Sequence, residues 1–246
     1  MRAVTVDFWG TLLLDPPSSD NRYKRRRMAD FETILGGLGL KVRATALDRA
    51  YEASASVLGR LWAQNKDVPV TEHVRAILTA LDPQLPAHLP DEAVTALVDA
   101  YARPALLVPP AVDEGARAAL AQLRAQGVVL AIVSNTMRTP GAALRQVLER
   151  YGVLQYFAHT TFSDEVGIRK PDPAIFGLTL RALQVDAAAA VHVGDDPVLD
   201  VQGARRAGLR VIQVTSASLE ALGAQRPDAV VPSLATLPDA IASLDA

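Results

Sequence analysis

Three short segments constrain the fold of this chain more than anything else in it. Val128–Val133, Ala190–Gly194 and Leu209–Thr215 are almost uninterrupted apolar runs. A strand with one face in water alternates apolar and polar residues, whereas a strand covered on both faces does not. Helix patterns lie between the runs. Asp113 to Gln126 reads as a helix closed by Gly127, Thr139-Pro140 opens another with a cap and a first-turn proline, and Asp172-Pro173 opens a third. Thr160 to Ser163 adds a short strand. Strands and helices in alternation, joined by right-handed crossovers, fold into a parallel sheet covered by helices.

The N-terminal part reads differently. Ala3 to Phe8 is a first strand, followed at once by Gly10-Thr11. Residues 15–110 then read as helices alone: Thr45 and Asp48 have the spacing of a capping box ahead of a helix through Trp62, Thr71 can cap another helix, and Asp91 a third. The expected architecture is α/β, a doubly wound parallel sheet formed by residues 1–14 and 111–246, with an inserted helical cap domain at 15–110. An insertion directly after the first strand overhangs the carboxyl ends of the strands, where such folds bind ligands.

Composition removes several classes of function. A formal net charge of −2 is wrong for a protein that neutralises many phosphates, so nucleic acid is not an expected partner. The absence of cysteine excludes disulfides, thiolate metal sites and thiol nucleophiles. No stretch approaches the roughly 18 apolar residues of a membrane span. The N-terminus runs into a strand with no signal-peptide hydrophobic region, which gives a cytoplasmic expectation. Apolar surface and apolar core look alike in sequence, so monomer and homodimer stay equally open.

Four polar clusters fall just after expected strands: Asp7 to Thr11, Ser134-Asn135, Lys170-Pro171, and Asp195-Asp196 with Asp200. A parallel sheet brings all four to one edge. Carboxylates, a lysine and a hydroxyl suit phosphoryl transfer. A carboxylate can attack phosphorus, Mg²⁺ held by carboxylates can neutralise the equatorial oxygens, and a lysine and a hydroxyl can complete their cradle.

In this order and at these strand ends, the clusters resemble the four motifs of the haloacid dehalogenase superfamily of hydrolases. The helical insertion resembles that superfamily's helical cap. The resemblance implies that Asp7 is nucleophile and metal ligand, that Thr11 steadies the first loop, and that Ser134 binds phosphate. Lys170 is implied to pair with nucleophile and phosphate, and Asp195 to be the second metal carboxylate with Asp200 supporting it. The backbone carbonyl of Trp9 would complete the protein's ligands to Mg²⁺. Asn135, Lys170 and Trp9 join Ser134 as expected substrate contacts. The implied activity is Mg²⁺-dependent hydrolysis of a small phosphorylated metabolite.

One position departs from the pattern. Phosphatases of the superfamily place a second aspartate two residues after the nucleophile, as the proton donor to the leaving alcohol; here that residue is Trp9. Relatives without it include 2-haloacid dehalogenases, which carry an aromatic residue there but discard the metal carboxylates. Phosphonatases also lack it and use a cap lysine, yet Lys24, Lys41 and Lys66 stand in no context that marks such a role. Gly194-Asp195-Asp196 favours metal and phosphate. Dehalogenation, phosphonate cleavage and a catalytically weakened binding protein are the alternatives.

Plainer readings hold elsewhere. Asp196 precedes Pro197 and suits an N-cap. His192, between valines, reads as a buried histidine, and His73, His88 and His159 share no metal-site spacing. Lys24-Arg25-Arg26-Arg27 reads as a solvated helix face, with contact to an anionic substrate as the lesser alternative. Asp164-Glu165 reads as loop residues near Lys170, and Trp9 either packs under the cap or shapes an apolar pocket.

Overall fold

The computed structural model describes residues 1–15, 19–215 and 226–245. Strand β1 (Ala3–Val6) leads through a tight loop to β2 (Leu13–Leu14). Helices α1 (Ser19–Gly37), α2 (Ala44–Trp62), α3 (Val70–Leu81), α4 (Leu85–His88), α5 (Asp91–Ala102) and α6 (Pro104–Leu107) follow in succession. The chain returns through β3 (Ala111–Val112), α7 (Ala116–Ala125), β4 (Val129–Ser134), α8 (Gly141–Arg150), β5 (His159–Phe162) and α9 (Ser163–Val166). It ends with α10 (Pro173–Leu183), β6 (Ala190–Gly194), α11 (Gly203–Arg206), β7 (Arg210–Val214), β8 (Ala229–Val231) and α12 (Leu237–Asp245).

The strands form one six-stranded parallel sheet in the order β5-β4-β1-β6-β7-β8, so the first strand lies at its centre. The unbroken apolar runs now have their reason. Val4, Val6, Ile132 and Val193 pack on one face with Leu120 of α7 and Leu144 of α8, while Ala3, Val133 and Val211 pack on the other with Ile175 and Phe176 of α10. Both faces are dry. Each fully buried valine or isoleucine contributes roughly 1.5–3 kcal/mol. The helices of the insertion have their own apolar centre, around Phe31, Leu47, Tyr51, Ile77, Leu97 and Tyr101. No helix among the described residues is long and apolar enough to cross a membrane.

Several local expectations change. Thr45, Thr71 and Asp91 cap none of their helices: Arg43, Pro69 and Pro90 hold the N-cap positions of α2, α3 and α5, and no side chain accepts there. Thr139 does not cap α8 either; the amide of Gly141 is taken by the Asp164 carboxylate at 3.2 Å. Asp113 lies ahead of α7, its carboxylate accepting from the Gly115 amide at 2.9 Å in a side-chain turn. Antiparallel β2 and β3, unforeseen, pair Leu13 with Val112 and so join the points where the chain leaves and re-enters the sheet region. Arg27 is not on a solvated face: it is 2% exposed, inside the junction between insertion and sheet domain.

A second tie crosses this junction. The segment after α2 pairs with the segment before Lys170: the Arg169 amide donates to the Asn65 carbonyl at 2.9 Å and the Asp67 amide to the Gly167 carbonyl at 3.1 Å. The buried Asp67 carboxylate accepts from Arg169 Nη1 at 2.6 Å, from Ser163 Oγ, and from Trp62 Nε1 at 3.1 Å. Arg169 also lies over the Trp62 ring, 4.4 Å from its centroid. Removing one partner of such a pair leaves an uncompensated buried charge. Asp67→Ala is expected to lower the unfolding free energy by about 3–5 kcal/mol in urea titrations, and a loss under 1 kcal/mol would show that the pair carries no net weight.

Candidate active site

Because β1 lies between β4 and β6, the residues following these three strands are neighbours. Asp7 still donates its amide to the Val193 carbonyl at 2.9 Å, so the sheet pairing itself fixes the start of the first loop. Gly10 then takes φ +75°, a left-handed turn that only glycine adopts without strain, and a Cβ there would strike the Asp195 carboxylate. Gly194 does the same service for Asp200, whose carboxylate occupies the space a side chain at 194 would fill. Pro197–Gln202 winds as a π-helical turn that carries Asp200 back beneath β6.

Lys170 is the hub. Its Nζ lies 2.6 Å from Asp7 Oδ1 and 2.6 Å from Asp200 Oδ1. Asp200 Oδ1 also accepts from His192 Nε2 at 2.9 Å, and its Oδ2 accepts the Asp196 amide at 3.0 Å. His192 Nδ1 shares a hydrogen bond with Thr5 Oγ1 at 2.9 Å. Asn135 grips the Lys170 backbone on both sides, accepting its amide at 2.9 Å and donating to its carbonyl at 3.1 Å. Asp195 is less engaged: Thr11 Oγ1 donates to it at 3.3 Å, and Gln213 holds only its backbone carbonyl, at 2.8 Å.

The charges follow from this wiring. Burial would raise the Asp200 carboxyl, yet Lys170 and the His192 hydrogen bond outweigh it and hold the group well below the usual carboxylate range. Burial likewise works against the Lys170 ammonium, but Asp200 and Asp7 keep its pKa above the ordinary value. Asp7 is raised, first by burial and further by Asp200, with Lys170 opposing. Asp195 is pushed up to about 6, by burial and then by the charges of Asp7 and Asp200. Asp7, Asp195 and Asp200 each present an oxygen, all within 4.8 Å of one another. An all-oxygen set with two carboxylates raised by burial and then by neighbouring negative charge fits a hard divalent cation such as Mg²⁺.

The sequence-predicted residues thus converge, with changes of detail. Ser134 is fully buried at the end of β4, its Oγ donating to the Asn135 carbonyl at 3.3 Å. Asn135, expected to contact substrate, has its side chain spent on Lys170. Asp196 caps the following turn as expected, accepting from the amides of Val198 and Leu199 at 2.7 Å each. Asp164 and Glu165 do not orient Lys170; Asp164 serves α8, and Glu165 pairs with Arg145 at 2.5 Å. His192, Thr5 and Gln213 were missed as parts of the site. Thr5 and His192 are register partners in adjacent strands, a relation available once β1 is laid beside β6.

Trp9 packs edge-on against Phe8, ring centroids 4.9 Å apart, and its indole nitrogen is buried with no hydrogen-bond partner among the described residues. It borders a cavity of about 420 Å³ between sheet domain and insertion, with Tyr23, Arg27, Tyr51, Trp62 and Arg138 among the other lining residues. Asp7 and Lys170 are outside the lining, and Trp9, two residues after Asp7, is the lining residue of the first loop.

Over 99 residues the chain is 40% identical to a phosphoserine phosphatase of Thermus thermophilus, covering 40% of this chain and 39% of that one. Over 127 residues it is 35% identical to (S)-2-haloacid dehalogenase 2 of a Pseudomonas species, covering 50% and 52%. The matched segments therefore span between about two fifths and half of these relatives. A 2-haloacid dehalogenase structure from Pseudomonas syringae pv. Tomato superposes with a TM-score of 0.72 at 26% identity, covering 99% of both chains. A HAD phosphatase from Thermococcus onnurineus shares the fold, with a TM-score of 0.62 at 24% identity over 98% of both chains. Residues 1–208 match the profile of haloacid dehalogenase-like hydrolases, and the chain belongs to that family of hydrolases.

Proposed function

We propose that the chain is a Mg²⁺-dependent phosphatase of a small phosphorylated metabolite, working in the cytoplasm through an aspartyl phosphate on Asp7. The observation that carries the reading is the crowding of the Asp7, Asp195 and Asp200 oxygens within 4.8 Å of one another, with Lys170 bonded to Asp7 and Asp200. A site that attacks carbon and releases halide has no use for Asp195. With Asp7 Oδ1 held by Lys170, Oδ2 is the oxygen that attacks phosphorus. The P–O bond to the leaving group breaks as the Asp7–phosphorus bond forms. Lys170 and the Ser134 hydroxyl steady the transferring oxygens, and Asp200, with His192 behind it, keeps Lys170 in place. Water then cleaves the aspartyl phosphate, returning the carboxylate and releasing phosphate. Asp7, Asp195 and the Trp9 carbonyl, with Asp200 in support, would hold Mg²⁺, which would supply charge neutralisation at those oxygens. The insertion acts as a cap that excludes bulk water and selects the substrate.

The test is turnover of an activated aryl phosphate with Mg²⁺ and with EDTA. Turnover that EDTA abolishes is expected; none with any divalent metal would overturn the reading. A second reading, removal of halide from 2-haloacids, draws on the aromatic residue at position 9 and the likeness to a 2-haloacid dehalogenase. Halide release that survives EDTA would establish it.

Metal binding should also leave a signature in stability. The Asp195 carboxyl, raised to about 6 from 3.8, favours its protonated form in the folded metal-free chain. That contribution is full below the unfolded value and is lost as pH rises through about 6. Mg²⁺ needs the carboxylate and binds progressively better over the same range. The gap in melting temperature between Mg²⁺ and EDTA should therefore widen from pH 5 to pH 7.5 in thermal scans. A gap independent of pH would exclude Asp195 as a ligand.

A further inference from the structure

Among the described residues Arg27 is the most deeply buried cation in the junction with no acidic partner. Its Nε donates to the Tyr101 carbonyl at 2.8 Å, Nη1 to the Tyr51 hydroxyl at 3.2 Å, and Nη2 to the Arg138 carbonyl at 2.9 Å and Thr139 Oγ1 at 3.3 Å. Arg138, half-buried, donates from Nη1 to Ser54 Oγ at 3.2 Å and to the Tyr101 hydroxyl at 2.9 Å. The two guanidinium groups lie over the rings of Tyr101 and Tyr51, at 4.5 and 4.1 Å from the centroids. Every one of these acceptors is neutral. One buried and one half-buried positive charge around a pair of tyrosines thus have no directly bonded counter-charge among the described residues, the partner that makes such burial favourable.

The cavity these residues line does contain acids, but they are engaged elsewhere or in water. Glu52 takes Lys24 at 2.7 Å, Asp15 accepts the Ser19 hydroxyl at 2.6 Å, and Asp20 is solvent-exposed. The formal charges of the lining balance, and the Glu52 charge reaches Arg138, yet among the described residues no acid forms an ion pair with Arg27 or Arg138. Arg138 keeps Nε–H and Nη2–H without an acceptor among the described residues. Those two donors lie side by side on one edge of the guanidinium, the planar fork that a carboxylate fills with both oxygens.

We propose that this cavity is a subsite for a carboxylate at the end of the substrate remote from the bond that breaks, with Arg138 as its bidentate ligand and Arg27 as the supporting charge. The placement suits a single bound molecule. Trp9 follows Asp7 by two residues and Met137-Arg138-Thr139 follows directly on Ser134-Asn135-Thr136, so the cavity adjoins the reacting end through both loops. Trp9, Trp62 and Met137 offer apolar surface to the carbons between. A volume of about 420 Å³ accommodates the organic part of a small metabolite. The proposal rests on the phosphatase reading for the other end of the substrate, a phosphomonoester, and so names the class as phosphorylated carboxylic acids.

The chain's two tryptophans, Trp9 and Trp62, both line the cavity, so intrinsic fluorescence reports its occupancy without turnover. The full chain is titrated with glutarate and with glutaramide, its uncharged analogue. A saturable change with glutarate alone is expected, weakened at least tenfold in Arg138→Gln, with Arg138→Lys between the two. Thermal melts check that each variant is folded. In kinetics, the preference for the phosphate ester of an ω-hydroxy acid over that of the alkanol of equal length should fall at least tenfold in Arg138→Gln. An absent response, an equal response to glutaramide, or an unchanged response in Arg138→Gln would overturn the subsite. A chain that binds glutarate but hydrolyses no phosphomonoester would keep the subsite and lose the phosphatase reading; hydrolysis with no carboxylate preference would do the reverse.

Discussion

Asp7→Asn is expected to remove essentially all hydrolysis of an aryl phosphate, a loss of at least ~10⁴-fold in kcat, since the covalent route disappears with its nucleophile. No neighbour can stand in. Both oxygens of Asp200 are occupied, by Lys170 and His192 on one side and the Asp196 amide on the other. Asp195 is on the loop after β6, in contact with Thr11 and not with Lys170. The variant should stay folded, because asparagine keeps an oxygen for Lys170 and Asp200 still balances its charge. Thermal melts and steady-state kinetics on the same preparation check both halves. A variant within tenfold of the parent would remove Asp7 from the chemistry.

The second large effect is a gain. Trp9→Asp should raise kcat/KM on an alkyl phosphate by roughly 10²–10⁴-fold, the usual worth of a placed general acid. An aryl phosphate, whose leaving group needs no proton, should change little. A carboxyl at position 9 would be half-buried close to Asp7 and Asp195, surroundings that raise its pKa and suit it to give up a proton at the leaving oxygen. The change also removes the indole from its contact with Phe8, so some loss of stability accompanies it. For that reason the readout is the ratio of alkyl to aryl turnover in one protein. An unchanged ratio would show that proton donation does not limit this site, and that Trp9 is there for another purpose.

The parallel sheet was legible because its strands are dry on both faces, and β6 occupies the very residues read from sequence. The polar clusters were legible for a related reason: a parallel sheet sends every strand's end to the same edge. Helix starts were read less well. Thr45 and Thr139 have capping chemistry, but the acceptor that meets α8 is Asp164, remote in sequence, and no local rule finds it. β2 and β3 are two residues each and show no period. Arg27 misled because a run of four basic residues suggests solvent, whereas the α1 face that bears it turns toward Tyr51 and Tyr101. His192 was rightly read as buried, but its work on Asp200 requires knowing that a π-helical turn brings the carboxylate back under the strand.

The pairing of residues 65–67 with 167–169 bears on how such a protein can be rebuilt. Asp7, Lys170, Asp195, Asp200 and His192 all come from the sheet domain, so a chimera carrying another protein's helices between β2 and β3 would keep the acidic floor. It would lose the Asn65 carbonyl and the Asp67 carboxylate that hold Arg169, the residue before Lys170. A graft joined only at the chain's two crossing points is therefore incomplete. The transplantable unit for changing substrate range is the helices with this strut left native, and the same boundary limits how freely the two parts can drift apart in sequence.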